Sequence, residues 1–180
     1  SKNCVLQEGS YTELSRFVRS LRFGLVAGVL FDFGLSSFHL DRSRRGFSFR
    51  GSEPLDMRYR RDIGERAEEL IGRLRRDELE AILKTYGEER FAGRIAEAIA
   101  AERRRHPLRR TDELVAVIRR AIPEQFRKGR IHFATRVFQA IRIAVNRELE
   151  NIPAGLAAAC EILAPRGRIG SSTSTIVIRA

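Results

Sequence analysis

The chain has 180 residues, of which 43% are hydrophobic, and carries a formal net charge of +11. This length and composition predict one folded domain, or one domain with a small insertion, and exclude a globally disordered chain. All but three of the 34 basic residues are arginines, whose planar guanidiniums match phosphate oxygens, so the charge favours a nucleic-acid partner. A GC-rich genome, which favours arginine codons, would explain arginine in place of lysine, but not the surplus of 11 basic over acidic residues.

The two cysteines and the apolar runs indicate a cytoplasmic protein. Cys4 and Cys160 form no C-x-x-C pair and no zinc-binding pattern, which is typical of a reducing compartment. No apolar run approaches the roughly 20 residues that a membrane span needs. The first residues also lack the hydrophobic stretch of a signal peptide. We therefore expect no membrane partner and single out no metal-binding residues, while the sequence leaves metal dependence open.

The first third of the chain shows the pattern of a parallel strand–helix–strand unit. Residues 4–6 and 26–31 are short apolar runs, and the spacing of apolar residues over 11–21 predicts a helix between them. In parallel sheets the ligand binds beyond the carboxyl ends of the strands. Asp32 directly follows the second run and lies at such an end, as does the turn at residues 9–11.

The middle of the chain is predicted to be helical. Amphipathic spacing favours helices over 65–74, over 77–87 with a capping box formed by Asp77 and Glu80, around 91–99, and from Thr111 to Pro123. A longer helix is predicted from Ala134 through Leu149 and another over 154–163. A turn at 164–167 and possible strands at 168–169 and 176–178 follow. The fold class is therefore α/β, with a helical insert between the α/β elements.

Residues 42–61 form an arginine-rich loop. They contain seven arginines but only two acids, with Phe47, Phe49 and Tyr59 interleaved. Guanidiniums for phosphates and ring faces for bases are what binding of single-stranded RNA requires. A solvated charged loop is the plainer interpretation, and the aromatic residues could equally pin the loop to the core.

A second basic stretch covers residues 127–147, with six Arg and Lys residues and no acid. Arg136 and Arg142 are six positions apart, so on a helix they point in nearly opposite directions. Both cannot face one phosphate backbone. We expect at least one of them to pack against the helical insert or to pair with an acid.

Three ordered blocks resemble the bacterial 16S ribosomal RNA cytosine-N4 methyltransferases of the RsmH/MraW type. Residues 32–58, DFGLSSFHLDRSRRGFSFRGSEPLDMR, are similar to the family's D-L-G-V-S-S-x-Q-L-D…R-G-F-S-F…G-P-L-D-M-R. Residues 86–92, YGEERFA, match Y-G-E-E-R-F-A, and residues 130–146 resemble H-P-A-T-R-x-F-Q-A-L-R-I-x-V-N. The order of the blocks, from about residue 6 to residue 168, makes the resemblance specific.

The resemblance implies a Rossmann-like fold that binds S-adenosylmethionine (SAM) and carries a helical insertion. Residues 1–61 and 131–180 would form the methyltransferase core, which is incomplete here, and residues 62–130 the insertion. The implied activity is methyl transfer to the N4 amine of a cytosine. The implied partner is small-subunit ribosomal RNA or the assembled small subunit.

The resemblance also implies the site residues. Tyr11, Asp32 and His39 correspond to the family's cofactor contacts, although His39 replaces a glutamine and so puts a titratable ring in place of a neutral amide. Asp32 is also the implied catalytic residue, which binds the cofactor, contacts the amine, or does both. The expected RNA-binding residues are Arg44, Arg45, Arg50, Arg58 and Arg136.

The chain departs from the family pattern at three places. The family's first strand and glycine-rich cofactor turn should precede Cys4, and the family's S-F-H-S-L-E-D-R segment is replaced by residues 170–175, GSSTST. Phe133 stands where the H-P-A-T-R motif has proline. We therefore expect a family member truncated at its start and divergent at its end. The alternative is a non-catalytic RNA- or ribosome-binding remnant that has lost the cofactor turn.

Overall fold

A computed structural model of the chain describes residues 4–33 and 43–172. These residues form two compact units, one made of residues 4–33 and 148–172 and the other of residues 43–147. The architecture is mixed α/β, which confirms the predicted fold class. Within the described ranges, no helix is long and apolar enough to cross a bilayer.

Seven α-helices and two strands are present in the described residues. In chain order they are α1 (Leu14–Ser20), β1 (Val26–Asp32), α2 (Ala67–Arg73), α3 (Arg76–Gly87), α4 (Ala92–Arg103), α5 (Thr111–Ala121), α6 (Thr135–Asn146), α7 (Glu148–Cys160) and β2 (Leu163–Ser172). Two 3-10 turns, Tyr11–Glu13 and Glu124–Phe126, precede α1 and α6.

The first unit contains a parallel pair of strands, but the two strands that pair are not the two that were predicted. The strand at 26–31 is confirmed, and it pairs with β2 in a register that places Asp32 opposite Ser172. Residues 4–6 form no strand, since Leu6 is 93% exposed and nothing in the described unit pairs with it. The predicted turn at 164–167 lies inside β2, at an irregularity in its pairing with β1. Leu163 pairs with Val26 and Arg168 with Gly28, so β2 advances five residues while β1 advances two.

The second unit is a cluster of the helices α2–α6 around an apolar core. Helix α3 packs against α4 and α6, and α4 packs against α5. The amphipathic faces predicted from the sequence are the buried ones, which confirms these helices. The largest side chains with less than 2% exposure include Leu79, Leu83, Ile95, Ile99, Leu114, Ile118, Val137 and Ile141.

Two details of the predicted helices are wrong. The capping box of α3 uses Glu78, whose carboxylate accepts the backbone N–H of Arg75 at 2.7 Å, because the helix begins earlier than predicted and Glu78 is its third residue. The long helix predicted from Ala134 through Leu149 ends at Asn146, and Arg147, the residue after it, adopts a left-handed conformation with φ 49°. Helix α7 then starts at residue 148 rather than 154 and contains Pro153.

One division between the two units falls between residues 147 and 148, and the domain boundaries expected from the resemblance, at 61/62 and 130/131, stay a prediction. In the second unit, residues 43–61 and α6 pack with the other helices. Leu55 and Met57 in the loop are 1% and 0% exposed. The side chain of Asn146, the last residue of α6, is hydrogen-bonded to the loop backbone.

Candidate functional site

In the first unit, Asp32 lies at the carboxyl end of β1. It is exposed and stands opposite Ser172, the last residue of β2. The next residue, Phe33, continues the pairing, because its backbone N–H donates to the carbonyl oxygen of Ser172 at 3.2 Å. Asp32 therefore occupies the edge of the sheet at which parallel strands present ligands.

Tyr11 lies at the same end of β1. Its ring meets Phe31 and Phe33 edge to face, with centroids 6.0 and 5.3 Å apart, and those two rings are stacked at 5.1 Å. Because Phe31 and Phe33 flank Asp32, the cluster brings the two predicted site residues to one strand end. Gly155 of α7 allows this packing, since a Cβ there would stand 2.4 Å from the Tyr11 ring.

The hydroxyl of Tyr11 is a neutral hydrogen-bond donor. Burial raises the pKa of Tyr11, and the nearby carboxylate of Glu148 raises it further. A neutral hydroxyl, an aromatic ring and the carboxylate of Asp32 suit the hydroxyl and amino groups of a nucleoside. The residues present therefore fit the adenosine part of SAM. His39, the third predicted cofactor contact, lies outside the described residues.

In the second unit, aromatic side chains anchor the arginine-rich loop. Phe47 is 5% exposed and stacks on Tyr59 with centroids 5.6 Å apart, and Phe49 stacks on His132 at 4.3 Å. These contacts favour the interpretation in which the rings pin the loop to the core. The buried faces of Phe47 are not open to RNA bases.

Two of the predicted RNA-binding arginines hold this loop together. Arg45 lies over the ring of Phe47 at 5.4 Å and donates to the carbonyl oxygens of Arg58 and Tyr59 at 2.7 and 3.0 Å. Arg58 makes a two-pronged ion pair with Asp56, at 2.6 and 3.1 Å. Burial opposes ionisation of Asp56, but the hydrogen bonds from Arg58 outweigh it and leave the pKa of Asp56 below its ordinary value.

The other three predicted arginines are exposed. Arg44 adopts a left-handed conformation with φ 51°, and Arg50 follows the stacked ring of Phe49. Arg136 donates to the carbonyl oxygen of Glu88 at 3.1 Å, just beyond the end of α3. Arg136 therefore contacts the helical insert while it remains exposed.

His132 is a feature that the sequence did not single out. Its ring lies between Phe49 at 4.3 Å and Phe133 at 4.2 Å, and its Nδ1 accepts the backbone N–H of Ala134 at 3.2 Å. The ring proton is therefore on Nε2. Burial lowers the pKa of His132, so the neutral form is favoured. Arg50 directly follows Phe49 in the chain, and Arg130 lies two positions before His132. The stacking of Phe49 on His132 therefore joins the two basic stretches that were considered separately in the sequence.

Among the described residues, no group of three or more His, Cys, Asp or Glu side chains could hold a metal ion. Cys4 and Cys160 are both exposed and free.

Comparisons with known proteins agree with the resemblance seen in the motifs. Residues 1–173 match the model of the MraW methylase family. The chain is 44% identical over 164 residues to the ribosomal RNA small subunit methyltransferase H of Persephonella marina, covering 91% of the chain and 56% of that relative. The proteins of the same name from Methylococcus capsulatus and Thermomicrobium roseum are each 47% identical, over 91% and 89% of the chain and 54% and 49% of their own lengths. The chain thus spans about half the length of the curated relatives it matches.

Proposed function

The chain belongs to the MraW methylase family, and on that premise we propose that it acts in SAM-dependent methylation of the N4 amine of a cytosine in small-subunit ribosomal RNA. The observation that carries the proposal is the position of Asp32 at the carboxyl end of β1, beside the Tyr11 cluster, within the stretch that matches the family. The names of the relatives support a ribosomal RNA substrate. The cytoplasm, where small subunits are assembled, is the proposed compartment.

The chemistry requires positioning more than acid–base strength. The exocyclic amine of cytosine is a weak nucleophile because its lone pair is delocalised into the ring. SAM supplies an electrophilic methyl group when it is bound. The carboxylate of Asp32 would accept an N–H of the amine and hold the nitrogen in line with the methyl group. Such positioning is the larger part of this kind of catalysis. The target base must leave its stack to reach this strand end.

In this proposal the predicted site residues divide by role. Tyr11, Asp32 and His39 hold the cofactor, and Asp32 also orients the amine. Arg44, Arg50 and Arg136 bind RNA phosphates directly, since their side chains are exposed. Arg45 and Arg58 act through the shape of the loop, because their guanidiniums are bonded within it.

Calorimetric titration with SAM tests the proposal. We expect saturable binding that Asp32→Ala weakens, and methyl transfer to small ribosomal subunits that Asp32→Ala abolishes. Asp62→Ala is the matched control, because Asp62 is exposed, pairs with Arg60 and belongs to the other unit. Full methyl transfer by the Asp32→Ala variant would remove Asp32 from the mechanism.

A second candidate function is RNA binding without catalysis. It is favoured by the second unit, which has its own apolar core and an exposed basic surface that includes Arg44 and Arg50. RNA binding by a folded chain that shows no SAM binding would support this candidate over the enzyme.

A further inference from the structure

Three aromatic rings form a continuous stack in the second unit, which we call the ring stack: Phe49, His132 and Phe133. The planes of Phe49 and His132 are tilted by 5°, and those of His132 and Phe133 by 30°. At its inner end, Phe49 meets Phe138 of α6 edge to face, with centroids 5.8 Å apart. The inner end is thus fixed to the helical core.

The outer end of the ring stack is Phe133. This residue is only half-buried. Its ring touches His132 and, in the part of the chain that the structure describes, no other aromatic ring. The ring stack therefore ends in a half-buried phenylalanine that is in contact with one aromatic ring among the described residues.

Three basic residues lie close to the ring stack in the chain. Arg50 follows Phe49 in the chain, and Lys128 and Arg130 precede His132. All three side chains are exposed, and within the described ranges none of them forms an ion pair. Residues 125–147 contain no acid at all. The positive charge at this place is therefore not neutralised by the protein itself.

We propose that Phe133 is a stacking platform for an unpaired RNA base, with Arg50, Lys128 and Arg130 holding the phosphates beside it. A flat ring ending an ordered stack, next to unneutralised guanidiniums, is the combination by which proteins bind single-stranded nucleic acid. The inference rests on the proposed function only in taking RNA as the partner, and it does not require methyl transfer.

A short single-stranded RNA that carries one 2-aminopurine tests the platform. The fluorescence of this base is quenched when it stacks on an aromatic ring, and the chain has no tryptophan to interfere. We expect the chain to quench the probe and Phe133→Leu to bind it about five- to 150-fold more weakly, the range for one stacked base. Phe133→Tyr, which keeps an aromatic ring, should retain both quenching and affinity.

The dependence of binding on salt separates stacking from charge. Phe133→Leu should leave the slope of log affinity against log salt unchanged, because it removes no charge. Lys128→Gln together with Arg130→Gln should reduce that slope by about 0.7 for each phosphate that the variant no longer neutralises. Phe23→Leu, an exposed phenylalanine in the other unit, is the matched control and should leave binding unchanged.

Three results would overturn the inference. The Phe133→Leu variant could bind the RNA probe within twofold of the original affinity, it could still quench the probe, or polyglutamate could displace the probe as well as unlabelled RNA does. If Phe133→Leu does not fold by circular dichroism, Phe133→Pro, which restores the residue of the family motif, takes its place with the same expected loss. Failure of the chain to bind any RNA would overturn the inference and the RNA part of the proposed function together. Loss of SAM binding alone would contradict only the enzymatic proposal.

Discussion

The side chain of Asn146 is hydrogen-bonded to the backbone on both sides of Arg58. Its Nδ2 donates to the carbonyl oxygen of Met57 at 2.8 Å, and its Oδ1 accepts the N–H of Tyr59 at 2.8 Å. A side-chain amide donates and accepts from one planar group, which a carboxylate cannot do. Two of the sequence blocks that identified the family, the one ending in LDMR and the one ending in AVN, are thereby joined through this residue.

Replacing Asn146 by Asp should destabilise the second unit. The carboxylate cannot donate to Met57, whose carbonyl oxygen would then face a negative charge. We expect a loss of about 1–3 kcal/mol in the free energy of unfolding, measured by urea denaturation. Gln125→Glu makes the same change of amide to acid at an exposed position and should cost less than about 0.5 kcal/mol. Equal stability of the two variants would show that Asn146 does not hold the loop.

Gly87 is required where α3 crosses α6. A Cβ at this position would stand 2.5 Å from the carbonyl oxygen of Arg136 and 3.1 Å from the Cβ of Ala140. Gly87→Ala should therefore force the helices apart and cost about 1–3 kcal/mol of stability. The matched control is Gly72→Ala in α2, where nothing lies within 4 Å of the new Cβ. That variant should gain about 0.5–1 kcal/mol, since alanine favours the helix. Thermal unfolding of the two proteins gives the comparison.

The same substitution should change RNA binding at Arg50 and stability at Arg58. Arg50→Gln should weaken RNA binding and lower the salt slope by about 0.7, with unchanged stability, because its side chain is exposed. Arg58→Gln leaves the carboxylate of Asp56, which is 15% exposed, without its partner. It should cost about 1–3 kcal/mol of stability. Parallel RNA titrations and denaturation curves check both outcomes, and a stable Arg58→Gln variant with weakened RNA binding would reverse the assignment.

Stability should fall as the pH drops below about 6.5 because of His132. Burial lowers the pKa of His132 in the folded chain, so below the ordinary value of about 6.5 the unfolded chain takes up the proton more readily. The stability that neutral His132 contributes is fully present above this ordinary pKa, and it is lost as the pH falls towards the lower pKa of His132 in the folded chain. His132→Asn keeps an acceptor for the N–H of Ala134 but cannot titrate, so its stability should change less over this range.

The sequence predicted the elements whose signals are local. Helices α3–α6 have amphipathic spacing that agrees with their buried faces. The position of Asp32 followed from the apolar run before it. Pairing between β1 and β2 was missed, because the two strands are separated by more than a hundred residues and parallel pairing leaves no local signal.

The roles of the loop residues could not be assigned from composition. Seven arginines in residues 42–61 look alike in the sequence. Whether a guanidinium pairs with Asp56 or remains at the surface depends on the backbone that surrounds it. The contact between Phe49 and His132 likewise joins segments that are far apart in the chain, so neither ring signals it alone.

The parallel pair formed by β1 and β2 also affects how the chain behaves at high concentration. In the part of the chain that the structure describes, each strand has one neighbour, and Leu30 on β1 is 79% exposed. A strand edge without a neighbour, carrying exposed apolar side chains, is a template onto which a strand of another molecule can add. Among the described residues, this edge with the exposed Leu30 is therefore where a strand of another molecule would add.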